Sequence, residues 1–183
     1  SSDNIHVVWY QTAAVKPVPF AKLTSGTLSS TTTQAINLSS YLSAGYTKFR
    51  LHLVDIKPAS DGVFLVMDVS TNAGSSYLNS SYISPALSFQ AGTVAAYYSS
   101  STSSFTLTDS TGNTGGATAH AVVEIEIYSA SVAVYSKGSH ITASGLCRGL
   151  IMEGFHATAG VNAVRFYQSS GNMASGSWEL YGI

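Results

Sequence analysis

Histidine, carboxylate, cysteine and tyrosine are the side chains here that could carry chemistry, and their spacing decides how much. His6, His52, His120, His140 and His156 are scattered, with no pair at the i, i+4 spacing that brings two imidazoles to one metal. The chain has no G-x-S-x-G elbow, no phosphate-cradling glycine loop and no calcium loop of alternating acids. Asp55, Asp61 and Asp68 read as turn and strand-end residues rather than as a calcium site. Glu124 and Glu126 would share a strand face about 7 Å apart, at ~3.4 Å rise per residue, a separation that suits glycosidic acid–base work. A half-buried strand with polar residues outward gives the same pattern without any reaction, so no catalytic residue is assigned. Cys147 is the single cysteine, which excludes an intrachain disulfide and any all-cysteine metal site. It is expected to be a small buried hydrophobe. No metal, no cofactor and no enzymatic activity is expected.

Tyrosine is the sharper signal. Sugars stack their apolar faces on exposed aromatic rings and hydrogen-bond to hydroxyls and amides. Tyr77, Tyr82, Tyr97 and Tyr98 sit in the Ser- and Asn-rich stretch that looks most loop-like, and they are the candidates for glycan contact. The competing reading makes them strand residues that fill a core or an intersubunit face.

The elements that would position these groups are strands. Phe49, Leu51 and Leu53 alternate with Lys48, Arg50 and His52, the period of a half-buried strand. A turn at 57–62 and the apolar run Val63 to Val69 follow, and the two strands read as a hairpin. Ala86 to Phe89, Val94 to Tyr98 and Phe105 to Thr108 are short candidates. Ala119 to Tyr128 is the clearest strand, with Ala121, Val123, Ile125 and Ile127 inward and His120, Glu124 and Glu126 outward. Val132 to Tyr135, Leu150 to His156, Val161 to Tyr167 and Ser177 to Tyr181 complete the count. No stretch of ten or more residues carries helical periodicity behind a cap. Many short, evenly spaced strands predict an all-β sandwich or barrel, and two antiparallel sheets joined as a jelly roll are the expected architecture.

Residues 1–34 look different and are read as an arm, with residues 35–183 as the β domain. Lys16-Pro17-Val18-Pro19-Phe20 cannot pair inside a sheet because neither proline donates a hydrogen bond. Ser25-Gly26 and Ser29 to Thr33 read as linker. Val7, Trp9, Tyr10 and Phe20 are the apolar residues with which such an arm would anchor on a neighbour, an edge strand of the same sandwich being the alternative.

Composition bounds the rest. Of 183 residues 9% are charged against 45% hydrophobic, the mean hydropathy is +0.19, and Ser and Thr supply about a quarter of the chain. A surface so poor in charge must be wetted by hydroxyls or covered by other protein. Net charge −1 and eight scattered basic residues argue against a nucleic-acid partner. No apolar stretch approaches the ~20 residues of a spanning helix, so no membrane role is expected. No secretory leader is read, and the opening Ser1 suggests processing.

The C-terminal run from Gly160 to Ile183, with Asn162-Ala163-Val164-Arg165-Phe166, then Ser170-Gly171-Asn172-Met173-Ala174-Ser175-Gly176 and Leu180-Tyr181-Gly182, resembles the closing segment of a group of bacteriophage virion proteins. Leu38-Ser39-Ser40-Tyr41, Val69 to Tyr77 and Glu124 to Tyr128 extend the resemblance over about residues 35–183. Val161 to Tyr167 and Ser177 to Tyr181 are expected to pair as a hairpin across a Ser170-Gly171-Asn172 turn. The resemblance implies a jelly-roll domain of a virion structural protein, assembled in the host cytoplasm and placed on the particle exterior. It implies a homotrimer that decorates the capsid or belongs to the tail, with other virion proteins as partners. A receptor-binding adhesin that meets host-surface glycan is the alternative.

Overall fold

A computed structural model of the protein describes residues 20–90, 92–97 and 100–183. Its strands are Ala21–Thr31 (β1), Thr33–Asn37 (β2), Lys48–Pro58 (β3), Leu65–Ser70 (β4), Tyr82–Ile83 (β5), Ala86–Gln90 (β6) and Thr93–Tyr97 (β7). Ser100–Thr102 (β8), Phe105–Thr106 (β9), Ala119–Ile127 (β10), Val132–Ile141 (β11), Cys147–His156 (β12), Ala163–Gln168 (β13) and Met173–Gly182 (β14) follow. The five-residue helix Ser39–Ser43 (α1) is the one helix among the described residues. All-β architecture is therefore what the alternation foretold.

The strands form two antiparallel sheets. The larger runs β1-β14-β3-β10-β11-β12-β5-β8, with β6 and β7 added beside β12, and the smaller runs β2-β13-β4-β9. Phe49, Leu51 and Leu53 of β3, Val123 and Ile125 of β10 and Leu180 of β14 project from the larger sheet onto Met67, Val69, Val164 and Phe166 of the smaller one. The Phe166 and Trp178 rings meet across the layers at 6.4 Å and 71°. Each fully buried Leu or Phe in that layer contributes roughly 1.5–3 kcal/mol of transfer free energy.

Two expected hairpins are corrected. β3 and β4 do not pair; β3 lies between β14 and β10 in the larger sheet, and β4 lies between β13 and β9 in the smaller. The closing pair is corrected in the same way, since β13 pairs β2 and β4 while β14 pairs β1 and β3. In both cases the turn carries the chain from one layer to the other, because each strand has a buried face that only the opposite layer can cover.

The linker reading of residues 25–33 is corrected too. β1 pairs β14 from Ala21–Gly182 to Thr31–Met173, as an edge strand of the larger sheet. Phe20 is 61% exposed, at φ 59°, with its ring 5.0 Å from the Arg50 guanidinium. Val7, Trp9 and Tyr10 lie outside the described residues.

The larger sheet is wider than the smaller and overhangs it at β11 and β12. β9 and the chain that follows it cover the inner side of that overhang. A Cβ on Gly154 would stand 2.5 Å from the Phe105 ring, and one on Gly138 would stand 2.7 Å from the Leu107 carbonyl oxygen. Glycine is what lets the covering segment approach so closely.

Candidate functional site

Outward residues of the larger sheet make one broad surface, and it divides into two halves. Strand alternation places Lys48, Arg50 and His52 of β3 beside Glu126, Glu124 and Val122 of β10, each in direct cross-strand register. Lys48 Nζ lies 2.8 Å from Glu126 Oε1 and Arg50 Nη2 lies 2.6 Å from Glu124 Oε1. Lys22 and Glu179 pair at 2.5 Å on the same side, and His120 lies 3.3 Å from Asp55. Opposite charges directly across an antiparallel pair give small favourable terms and no chemistry. The Lys48 ammonium, with Tyr128 donating to the other oxygen, holds the Glu126 carboxyl below its usual range. A general acid needs the opposite shift. Glu124 and Glu126 thus form two ion pairs rather than an acid–base couple.

Across β11, β12 and β6 the same surface turns apolar. Val122 lies opposite Lys137, Lys137 opposite Ile151, and Ile151 opposite Leu87. Tyr135 lies opposite Glu153, and Phe155 lies opposite Ile83. Val122, Tyr135, Ile151, Phe155 and Leu87 are each 40–43% exposed. Val122, Glu124, Tyr135, Lys137, Ile151 and Glu153 line a shallow hollow of about 470 Å³. Lys137 and Glu153 have no ion pair or side-chain hydrogen bond among the described residues. A contiguous exposed apolar stripe is the type of surface on which contact with other protein is made.

The predicted glycan tyrosines do not converge. Tyr82 is fully buried, so its role as a glycan contact is corrected. Its hydroxyl accepts from the Val69 N–H at 3.0 Å and donates to the Leu78 carbonyl at 3.1 Å, while its ring packs edge-on against Phe105. Burial pushes its phenol pKa far up. Tyr77 is half-buried and stacks on the Arg165 guanidinium at 4.3 Å, with Tyr167 at 4.9 Å nearby. The Tyr97 side chain and Tyr98 lie outside the described residues.

Arg165 is committed as well. Its Nε and Nη2 lie 2.8 and 2.7 Å from Asp68 Oδ2, and the Asp68 side chain is 1% exposed. Burial raises the Asp68 pKa, with Arg165 opposing that rise. Asp68 is thus a buried ion-pair partner within β4, not the turn or strand-end residue its sequence position suggested. Cys147 is another correction, because it opens β12 on the exposed side and is not buried.

A groove of about 520 Å³ lies beside β9, lined by Phe64, Val66, Ser84, Thr102, Thr106 and Asp109 among others. Phe64 is 40% exposed. Several of the hydroxyls are already used: Thr102 donates to the Tyr82 carbonyl and Ser84 accepts from the Thr106 N–H. Asp109 holds Arg148 at 2.9 Å. Phe64 escapes the sequence reading because it sits inside an apolar run, where nothing local marks it as outward. No group of three His, Cys, Asp or Glu converges among the described residues.

No family model, no curated protein and no solved structure matches this chain.

Proposed function

We propose that the chain is a non-enzymatic structural subunit of a bacteriophage particle, a jelly roll that works as a homo-oligomer on the particle exterior. Capsid decoration is the favoured role. The apolar half of the larger sheet's outer face carries the oligomer reading, because it is a broad surface that nothing covers among the described residues. Strand order supports the jelly roll. With β5–β8 and β11–β12 set aside as additions, the remaining eight strands number 1-8-3-6 in one sheet and 2-7-4-5 in the other. That is the order left when a long hairpin rolls up into two Greek keys. The virion assignment rests on the C-terminal resemblance around Asn162 to Phe166 and Ser170 to Gly176.

Two measurements test it. Light scattering of the full chain should give a mass above that of one chain at micromolar concentration, and a clean monomer would sink the oligomer. Labelled antibody against this chain should mark the exterior of intact particles by electron microscopy, at many copies for a shell role. Particles free of label would remove the virion assignment.

The groove at Phe64 favours a second reading, a tail-associated adhesin that binds host-surface glycan. An exposed aromatic ring among hydroxyls is the type of wall on which a sugar stacks. A glycan array separates the two. Binding that Phe64→Ala abolishes would favour the adhesin, and silence across the array would leave decoration.

A further inference from the structure

We infer that the apolar half of the outer face meets the same half of a second copy about a two-fold axis, with Lys137 of each subunit paired to Glu153 of the partner subunit. This rests on the reading of the chain as a self-associating subunit, and adds which surface associates and with what symmetry.

The first argument is charge. Lys22, Lys48, Arg50 and His120 each have a carboxylate within 2.5–3.3 Å in their own chain. Lys137 and Glu153 have no ion-pair partner among the described residues, and both are set among the exposed apolar side chains. They are of opposite sign and sit diagonally, since Lys137 faces Ile151 and Tyr135 faces Glu153 across the β11–β12 ladder. A single two-fold axis in the plane of the contact, placed midway between them, exchanges their positions. One operation thereby makes both missing ion pairs. An isologous contact requires this form of self-complementarity, in which i meets j and j meets i.

The second argument is register. Strands lie about 4.8 Å apart and residues rise ~3.4 Å, so the pairings lay the face out as a grid. On that grid the same axis brings Ile151 over Ile151 of the partner subunit and Phe155 next to Val122 of the partner subunit. Leu87 comes between Leu87 and Phe89 of the partner subunit. Ile151, Phe155 and Leu87 thus meet apolar side chains and the lysine meets the glutamate, while Glu124, which Arg50 already neutralises in its own chain, comes over Glu124 of the partner subunit. An unrelated protein would have to reproduce this pattern by chance. A second copy has it by symmetry.

Charge exchange tests the inference on the full-length chain. Sedimentation velocity on the wild type should show a dimer at micromolar concentration. Lys137→Glu places two carboxylates against each other twice per dimer, and Glu153→Lys does the same with ammonium groups. Each variant alone should dimerise at least about tenfold more weakly. An equimolar mixture of the two variants should dimerise again, because every contact in the mixed pair is Lys to Glu. Ile151→Glu, at a position 40% exposed, should abolish dimers in every combination. Circular dichroism checks that all variants keep their strands.

The outcomes separate cleanly. A wild-type monomer overturns self-association and this inference together, and leaves the face to another occupant such as the chain's own residues 1–19. A wild-type trimer, whatever the charge variants do to it, leaves self-association standing and overturns the two-fold pairing, as does a larger species whose mass neither variant changes. Weakened single variants that do not recover on mixing also overturn it.

Discussion

His140 shows how a single buried side chain ties stability to pH. It is 1% exposed on the inner side of β11, and neither ring nitrogen has a hydrogen-bond partner among the described residues. Burial lowers its pKa from 6.5; the Asp109 charge works against that shift and Arg148 reinforces it. The folded chain therefore keeps the ring neutral where the unfolded chain takes up a proton. Above pH 6.5 both states are neutral and His140 is silent. As pH falls below 6.5 the unfolded state binds more protons, and stability drops until the folded pKa is reached. Thermal unfolding from pH 7.5 to pH 5 should show this decline beginning near 6.5, and His140→Phe should flatten that part of the curve. A wild-type melting temperature constant across the window would refute it. Tyr82 makes the companion case. Tyr82→Phe strands the buried Val69 N–H and should cost about 1–3 kcal/mol in a denaturant titration. An unchanged midpoint would mean that the amide finds another partner.

β1 carries the test at the scale of one element. It is an edge strand held by β14, and Gly26 lies directly opposite Trp178. A Cβ at Gly26 would stand 2.7 Å from Trp178 Nε1. The indole lies over the glycine, covering a backbone stretch that has no side chain of its own. Gly26→Ala should destabilise by roughly 1–3 kcal/mol through overpacking. The neighbouring exposed Ser25→Ala should stay within about ±0.5 kcal/mol. Equal effects of the two would mean that the indole moves aside freely. The same strand marks where sequence reading stops. Alternation exposed the strands β3 and β10 with their outward faces, because period two reports burial directly, and it located most of β12. Ser25-Gly26 and Ser29 to Thr33 looked like linker because an edge strand with one wetted face needs few apolar residues. The turns after β3 and β13 looked like hairpins because a turn does not record whether the chain returns to the same sheet or crosses to the other. Asp68 and Arg165 are 97 residues apart, and only the β4–β13 register brings them together. The apolar half of the outer face was hidden for a related reason. Val122, Tyr135, Ile151 and Leu87 each look unremarkable in their own strand, and become a surface once four strands are laid side by side.

The whole molecule is a sandwich of unequal sheets, and the inequality sets where it should open first. β3 and β10 sit between neighbours on both sides with the smaller sheet beneath them, so their amides should exchange slowest of all. β5 is held to β12 at one register position and to β8 at two, so that margin should open most readily. β6 lies next to it, held to β12 at four positions, and its outward Leu87 and Phe89 are 42% and 37% exposed. β6 is also paired with β7 at five positions, so in an isolated subunit its amides should exchange more slowly than the margin and faster than those of β3 and β10. A contact that forms with concentration stabilises whatever it covers by mass action and leaves the far side of the sheet alone. Hydrogen exchange of the full chain, measured from low to high micromolar concentration, should thus show protection rising in β6, β11 and β12 and holding level in β1 and β14. Rising protection in β1 and β14 instead would place the contact on the ionic half, where the charges are already matched within the chain. Exchange independent of concentration in every strand would mean that no copy covers this face, and the apolar stripe would then need a partner of another kind.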